Sequence, residues 1–329
     1  MTDAAATARD GIVATPLVSL VLVSWNTCAL TMECLASIAA SPATIDHEIV
    51  LVDNGSVDGT AAAVRAGYPT VRVVRTETNL GFAGGANSGA AVARGEFLLF
   101  LNTDTIVSAG AIDTLVAFAL AYPEARLWGG RTINLDGSAN LACCWAAPTL
   151  WSIFCISFGL TALFRNSRLF NVESYGGWQR DSVREVAIIS GCFLLIGKTF
   201  FDSVGRFDDS FFLYGEDADL CFRARLNGAR PRFTPHATVT HLSGASSRSE
   251  DMLTYLWSAR LELIRRQSGA ISGALAARMM IGGSLLRYWR YAVAARRCQD
   301  AAAQREVWKL VWTRRALWSR GVIGRPLTG

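Results

Sequence analysis

The sequence predicts an α/β fold built on a doubly wound, mostly parallel sheet. Over the first two thirds of the chain, short apolar runs rich in β-branched residues alternate with stretches of helical apolar spacing. The runs are continuously apolar, as in FLLFL, instead of alternating with polar residues. Strands of that kind are typical of a sheet that helices cover on both faces.

The predicted elements follow one another along the chain. Strands are expected over residues 17–23, 48–52, 71–74 and 97–101. Helices are expected over residues 30–40, 60–66 and 85–93. A later helix is expected to begin after Gly215 and to end at Asn227-Gly228, because these residues favour helix termini.

The net charge of +5 is unevenly distributed over the 329 residues. Residues 1–251 carry 18 basic and 24 acidic side chains, whereas residues 252–329 carry 14 and 3. Apolar residues make up 51% of the chain and charged residues 18%, which excludes a mostly disordered protein. The chain is therefore expected to consist of a folded acidic body and a basic appendage.

Short polar residues follow three of the predicted strands. In chain order they are Ser24, Asn26, Asp53, Asn54, Asn102 and Asp104. In doubly wound sheets the ligand site lies beyond the carboxyl ends of the strands. The pattern predicts a site for a polar ligand, such as a nucleotide and its metal. The alternative is that these residues cap helices.

A glycine-rich segment, NLGFAGGANSG at residues 79–89, is expected to form a loop that leads into the third helix. Glycines let a ligand approach the backbone, and a helix N-terminus favours a diphosphate. The segment lacks the GxGxxG spacing of a dinucleotide site. Residues 191–199 imitate a P-loop but have five residues between the glycines, so a strand is expected there.

The segment 214–225 places three carboxylates, those of Glu216, Asp217 and Asp219, in the first turn of a helix. The helix dipole favours their ionised form. Such a cluster can supply a catalytic base. It can also only stabilise the helix start, with Asp219 paired to Arg223 four residues later. The charge pattern alone leaves both interpretations open.

Together these motifs resemble the family 2 glycosyltransferases, especially rhamnosyltransferase-like and galactofuranosyltransferase-like bacterial members. The likeness rests on VSWN, VDNGSVDGT, NLGFAGGANSG, LLFLNTDT and the block that runs from SGCFLLIGKTFF through FLYGEDADLCFRARLNG to HATVTHLSG, in the family's order. It implies a GT-A domain over about residues 17–245, a nucleotide-diphosphate sugar donor, Mg²⁺ or Mn²⁺, and inversion at the anomeric carbon. Residues 1–16 would be a disordered tail, and residues 246–329 a basic, Trp/Arg-rich helical region.

The resemblance also implies roles for single residues. Contacts with the nucleotide sugar are expected from Ser24, Asn26, Asp53, Asn54, Gly81, Asn87 and Asn102. Asp104 is expected to bind the metal, because Asn102 replaces the first aspartate of the family's Asp-x-Asp motif and a carboxylate is the better ligand. His241 is expected to join it, with His236 as the weaker candidate.

The reaction needs a group that accepts the proton of the attacking hydroxyl. Asp217 matches the family's base, and Glu216 is expected to orient the acceptor. The favoured reaction transfers L-rhamnose from dTDP-rhamnose to a polyprenyl-linked or polysaccharide acceptor in cell-envelope glycan synthesis. The same mechanism with UDP-galactofuranose or UDP-N-acetylglucosamine is the alternative, and a non-catalytic nucleotide-sugar-binding membrane scaffold is the alternative class.

Two segments suggest contact with a membrane. Residues 141–164 carry no charge over 24 residues, but they lie between Asp104 and Asp217, which must share one site, so a span is disfavoured. We expect an apolar helical insertion that lies on the bilayer, packs beneath the basic C-terminal tail (residues 246–329) or forms a core helix. Five of the ten tryptophans fall within residues 252–329, interleaved with arginine. Such helices are typical of the headgroup layer of an anionic membrane.

These observations predict a peripheral protein at the cytoplasmic face of the plasma membrane. The eight cysteines show no paired spacing, as expected in a reducing compartment. Nucleic acid is a rival partner for a basic, aromatic tail, but it is disfavoured because motifs of a sugar-donor site stand in the same chain.

Overall fold

A nine-stranded mixed sheet forms the centre of the computed structural model, which describes residues 15–242, 249–295 and 299–327. Its strands, in spatial order, are β3 (Arg72–Arg75), β2 (His47–Asp53), β1 (Val18–Ser24), β4 (Phe97–Asn102), β10 (Phe193–Gly197), β6 (Leu127–Ile133), β11 (Arg232–His241) and β5 (Thr105–Val107), with β8 (Arg184–Glu185) also paired to β11. Strands β3, β2, β1 and β4 are parallel, and β10 runs antiparallel to both of its neighbours. A small second sheet pairs β7 (Cys144–Trp145) with β9 (Ile188–Ile189).

The helices cover both faces of the sheet and form the C-terminal region. They are α1 (Cys28–Ala40), α2 (Thr60–Gly67), α3 (Gly81–Val92), α4 (Ala111–Ala121), α5 (Leu150–Ser157), α6 (Leu160–Leu163), α7 (Lys198–Ser203), α8 (Glu216–Leu226), α9 (Ser249–Ala294), α10 (Gln299–Thr313) and α11 (Arg315–Trp318), with 3₁₀ turns at Pro123–Ala125 and Leu141–Cys143. The predicted doubly wound α/β fold is confirmed. Strand β10 occupies the segment that imitates a P-loop, as expected. Of the predicted disordered tail at 1–16, residues 1–14 lie outside the described part of the chain.

The sheet is buried on both faces, as its continuously apolar strands predict. In β4, Leu98 and Phe100 pack in a core with residues of α3 and α8. Leu99 and Leu101 point to the opposite face and pack with residues of α1 and α4. Alternate side chains of one strand therefore belong to two cores, which is why the run contains no polar residue.

The glycine-rich segment is mostly helix, which corrects the expectation of a loop followed by a helix at residue 85. Helix α3 begins at Gly81, so the later glycines lie within it. A Cβ atom added to Gly89 would lie 2.5 Å from Cγ1 of Val21, and one added to Gly85 would lie 2.7 Å from Cγ1 of Val23. These glycines let α3 lie close against β1, and packing explains them better than approach of a diphosphate.

Residues 141–164 form several short elements instead of one apolar helix. Cys143 and Cys144 are buried in the core beneath the sheet. Thr149 begins α5 through a capping box with Ser152, and Gly159, with a φ of 81°, separates α5 from α6. Helix α5 packs against α9 of the C-terminal region. Of the three placements expected for this segment, the structure therefore shows the one beneath the C-terminal tail.

The C-terminal helices pack on the body through their tryptophans. The ring of Trp257 lies 5.1 Å from that of Trp318 and 5.6 Å from that of Trp308, in a cluster with Ile153 of α5. The expectation that the tail tryptophans face lipid is therefore wrong for Trp257 and Trp318, which are buried. The predicted boundary at residue 245 lies outside the described residues.

Within the described part of the chain, one helix is long and apolar enough to cross a membrane, over residues Asp251–Ala294. Length and composition alone do not separate a span from a helix of a soluble protein. Gly269 interrupts this helix with non-helical backbone (φ 82°, ψ 176°). Several residues of the segment before Gly269 are buried with α11 and the C-terminal residues.

Replacement of Trp318 by alanine should strongly destabilise the protein, because its ring is fully buried among the C-terminal helices. We expect a loss of about 3–5 kcal/mol in the free energy of unfolding, measured by urea denaturation. Trp289→Ala is the matched control, since this ring is 61% exposed, and it should change stability by less than about 0.5 kcal/mol. Equal effects of the two changes would contradict the packing described.

Candidate active site

A cavity of about 940 Å³ lies at the carboxyl ends of β1 and β4. Several separate parts of the chain line it: the ends of β4 and β11, the start of α3, the start of α8, the segment that contains β7, and the first part of α9. This is the edge of the sheet at which the strand-end residues predict a polar ligand site.

Asp104 and His241 form one corner of the cavity. Pairing of β11 with β5 sets His241 opposite Thr105, and the N–H of Leu242 donates to the carbonyl of Asp104 over 2.8 Å. Nε2 of His241 lies 3.3 Å from Oδ1 of Asp104. The two residues expected to share a metal, 137 positions apart in the sequence, are thus brought together.

The donors at this corner fit a divalent cation. A carboxylate oxygen and an imidazole nitrogen are suitable ligands for Mn²⁺, and the carboxylate is suitable for Mg²⁺. Among residues 15–242, 249–295 and 299–327, no group of three or more His, Cys, Asp or Glu side chains is arranged to hold a metal. A cation at Asp104 and His241 would therefore take its remaining ligands from phosphate oxygens and water.

Asp217 lies at the start of α8, where two backbone N–H groups hold its carboxylate. Oδ2 accepts from the N–H of Gly191 over 3.0 Å, and Oδ1 accepts from the N–H of Ala218 over 2.7 Å. Burial raises the pKa of Asp217 to about 6, against the opposing effect of these hydrogen bonds. The carboxylate is therefore ionised at neutral pH, yet basic enough to accept a proton.

Glu216 lines the same part of the cavity and is only 6% exposed. Within the described residues its Oε2 atom has no hydrogen-bond partner. Burial, followed by the neighbouring charge of Asp217, raises the pKa of Glu216 well above its ordinary value. These effects favour the neutral form of Glu216 relative to that of an ordinary glutamate.

The third carboxylate of the cluster, Asp219, does not line the cavity. It is fully buried and pairs with Nε of Arg223 over 2.7 Å and with Nη1 of Arg266 over 2.7 Å. Both interpretations of the acidic helix start therefore apply, to different residues. Asp219 stabilises the structure through the expected pair with Arg223, and Glu216 and Asp217 face the cavity.

Three of the expected donor-binding residues line the cavity: Asn54, Gly81 and Asn102. The side chain of Asn54 is also a structural tie, because it accepts from the N–H of Leu80 over 3.1 Å and donates to the carbonyl of Gly81 over 2.9 Å. Gly81 has a φ of 75°, and a Cβ atom there would lie 2.2 Å from the carbonyl oxygen of Phe212. Glycine is required at this position.

Four other expected donor-binding residues do not line the cavity and bond within the protein instead. The hydroxyl of Ser24 bonds to Thr31, Oδ1 of Asn26 accepts from the N–H of Val57, Oδ1 of Asp53 accepts from the N–H of Ser56, and Asn87 bonds to the backbone of Phe207. They fix the shape of the sheet edge. Their direct contact with a nucleotide stays a prediction.

Sequence reasoning missed part of the cavity wall. Trp25, which is 47% exposed, lines the cavity and lies inside the quoted VSWN motif, so its position was a usable signal. Glu173, Met252, Leu256 and Arg260 belong to no motif. Met252, Leu256 and Arg260 reach the site because α9 packs against the body, whereas Glu173 lies on the body, between α6 and β8.

The fold and the cavity together define a glycosyltransferase of the GT-A type. The chain belongs to the family described as glycosyltransferase like family 2, whose model matches residues 15–270. It is 30% identical over 271 residues to the N-acetylglucosaminyl-diphospho-decaprenol L-rhamnosyltransferase of Mycobacterium tuberculosis. The alignment covers 73% of this chain and 85% of that protein.

Two further comparisons agree with this assignment. The rhamnosyltransferase WbbL of Escherichia coli is 29% identical over 165 residues, or 49% of this chain and 58% of that protein. The mannosyltransferase PcManGT of Pyrobaculum calidifontis, solved with GDP-Man and Mn²⁺, superposes with a TM-score of 0.57 at 14% identity, over 93% of this chain and 88% of that one. The last likeness shows the shared fold.

Proposed function

We propose that this glycosyltransferase moves L-rhamnose from dTDP-rhamnose to a lipid-linked acceptor, with inversion at the anomeric carbon. The observation that carries the proposal is that a single cavity holds both the Asp104–His241 pair and the Glu216–Asp217 pair. The sugar and the acceptor are supported by the name of the mycobacterial relative, with which most of the chain aligns.

Asp104 and His241 would hold Mg²⁺ or Mn²⁺ at the donor end of the cavity. A divalent cation bound there neutralises charge on the diphosphate of the donor. Asn54, Gly81 and Asn102 line the cavity and would contact the nucleotide sugar.

Asp217 would act as the base. As the acceptor oxygen bonds to the anomeric carbon, its proton passes to the carboxylate of Asp217. The bond between the anomeric carbon and the phosphate oxygen breaks on the opposite face, and the nucleoside diphosphate leaves with that electron pair. The N–H groups of Gly191 and Ala218 keep the carboxylate in place. Glu216, whose Oε2 atom has no hydrogen-bond partner within the described residues, would form a hydrogen bond with the acceptor and so orient it.

The protein would act at the cytoplasmic face of the membrane. Beyond Gly269, α9 exposes an apolar stripe with helical spacing, formed by Ile271, Leu275, Leu286, Trp289 and Val293. Arg278 and Arg290 are exposed on the same segment. Phe158 and Phe164 are also exposed, and Ser157, which precedes Phe158, lies against Gly283 of α9. Apolar side chains flanked by cations fit an anionic lipid surface.

A panel of donors tests the proposal. Release of nucleoside diphosphate would be measured with dTDP-rhamnose, UDP-galactofuranose and UDP-N-acetylglucosamine, in Mn²⁺ and in Mg²⁺, with bacterial membranes as the source of acceptor. Preference for dTDP-rhamnose is expected. Preference for a UDP-hexose would replace the donor in the proposal, and absence of turnover with every donor would favour the non-catalytic scaffold.

Asp217→Asn should lower kcat by about 10²- to 10⁴-fold, because an amide cannot accept the proton. The affinity for the nucleotide and its metal, measured by equilibrium binding, should remain within about twofold, since the proposal assigns metal and donor binding to other residues. Asp209→Asn is the control, an exposed carboxylate shortly before α8. Retention of a large part of the wild-type kcat by Asp217→Asn would remove the assignment.

The transfer rate should rise with pH through a midpoint near 6. Below that pH Asp217 is protonated and cannot act as a base, and above it the carboxylate is ionised. The measurement is kcat at saturating donor, acceptor and metal between pH 4.5 and 8, with metal–nucleotide binding followed over the same range. A flat profile, or a midpoint near the ordinary aspartate value of about 3.9, would contradict this role.

His241→Ala should raise the Mn²⁺ concentration for half-maximal activity by about tenfold or more, because one direct ligand is lost. His236→Ala is a matched control on the same strand, since His236 is exposed and does not line the cavity. An unchanged Mn²⁺ midpoint in His241→Ala would exclude this histidine from the metal site.

The protein should float with liposomes that contain anionic lipid and should bind neutral liposomes less. Trp289→Glu should reduce the bound fraction, because it places a negative charge in the exposed stripe of α9. Leu226→Glu is the control, an exposed leucine at the end of α8. Failure to bind either kind of liposome would refute the membrane contact.

A further inference from the structure

The part of the cavity wall that α9 supplies contains one permanent cation. Among the described residues that line the cavity, Arg260 is the only arginine or lysine, whereas the carboxylates there are those of Asp104, Glu173, Glu216 and Asp217. In the proposed reaction, a metal at Asp104 would neutralise the charge of the donor diphosphate. For a second anion in the cavity, Arg260 is the cationic side chain that could neutralise the charge.

Within the described part of the chain, the guanidinium of Arg260 forms one ion pair. Nη2 donates to Oε2 of Glu173 over 2.9 Å, and the hydroxyl of Ser152 donates to the other oxygen of Glu173 over 2.9 Å. A guanidinium has five N–H donors, and this bond accounts for one of them. About a third of the Arg260 side chain is exposed, so a ligand in the cavity has access to it.

Arg260 lies on the acceptor side of the cavity. Its neighbour Ala259 packs directly on Gly215, where an added Cβ atom would lie 2.5 Å from Cβ of Ala259. Gly215 immediately precedes Glu216 and Asp217. The turn of α9 that carries Arg260 is therefore packed against the start of α8, whereas Asp104 and His241 belong to the β5–β11 edge of the sheet.

The surroundings of Arg260 are apolar. Met252, Leu256 and Leu263 follow one another at helical spacing on the face of α9 that lines the cavity. Leu141, Trp145 and Pro148 supply apolar wall from the body. A lone guanidinium beside an apolar stripe is complementary to an amphiphilic anion, in which phosphate is attached to a hydrocarbon chain.

We propose that Arg260 binds the diphosphate of a prenyl-linked acceptor. In this proposal Met252, Leu256 and Leu263 contact the first part of its hydrocarbon chain. This inference rests on the proposed function, because it takes the acceptor to be lipid-linked. Arg260 is a binding residue that positions the acceptor sugar near Asp217. Glu173 pairs with Arg260 in the absence of acceptor and gives way to the diphosphate.

Equilibrium binding of farnesyl diphosphate to the full-length protein tests this role. Arg260→Gln should weaken that binding by about 10- to 100-fold, the usual effect of losing charge-assisted hydrogen bonds. Binding of dTDP with Mn²⁺, and of uncharged farnesol, should change by less than about twofold. Glu173→Gln should tighten farnesyl diphosphate binding by about two- to fivefold, because it removes a competing carboxylate. Arg65→Gln, an exposed arginine of α2 outside the cavity, is the control and should have no effect.

Unchanged farnesyl diphosphate binding in Arg260→Gln would overturn the proposal. An equal loss of dTDP–Mn²⁺ binding would also overturn it, because Arg260 would then serve the donor. If Arg260→Gln does not fold, Arg260→Lys and Glu173→Gln decide the matter, and unchanged binding in both is the negative result. The probe carries no sugar and no transfer is measured. Absence of transfer in the donor panel would therefore refute the proposed function while leaving this binding result to stand by itself.

Discussion

The buried carboxylate of Asp219 connects the parts of the protein that form the site. It accepts from Arg223 on its own helix and from Arg266 on α9, and Arg266 also pairs with Asp208 in the segment before α8. Removing one partner from a buried ion pair costs about 3–5 kcal/mol, so these segments keep one arrangement. The helix start that carries Glu216 and Asp217 is thereby fixed against α9, and burial of this start raises the pKa values of both carboxylates.

The basic C-terminal region has a structural role as well as any role at a membrane. Arg260 pairs with Glu173, Arg266 with Asp208 and Asp219, and Arg287 donates to the backbone carbonyls of Ile156 and Ser157 at the end of α5. Part of the +11 charge of residues 252–329 is thus used within the protein. Without α9 the cavity would lack one wall, so the tail completes the site.

Much of the fold could be predicted from the sequence, because strands buried on both faces leave a continuous apolar pattern. The proximity of Asp104 to His241 was predictable only through the family resemblance, because β5 and β11, the two strands whose pairing brings them together, are far apart in the sequence. The glycines of α3 were misread because close packing and ligand approach select the same residue. The tail tryptophans were misread for a similar reason: Trp257 and Trp289 occupy comparable Arg-rich helical patterns, and only packing distinguishes the buried ring from the exposed one. Arg260 and Glu173 are 87 positions apart, without a motif that links them.

Helix α9 contributes to two different surfaces on either side of Gly269. Its first segment lines the cavity through Met252, Leu256 and Arg260, and its second exposes the stripe from Ile271 to Val293. In the proposed reaction, the acceptor has its hydrocarbon chain in the bilayer while the hydroxyl of its sugar reaches Asp217. In the proposed reaction the second segment lies on the lipid and the first guides the charged head group inward. A span by the whole of residues 251–294 would conflict with this arrangement, because Trp257 of the first segment is buried against Trp318 in the protein interior.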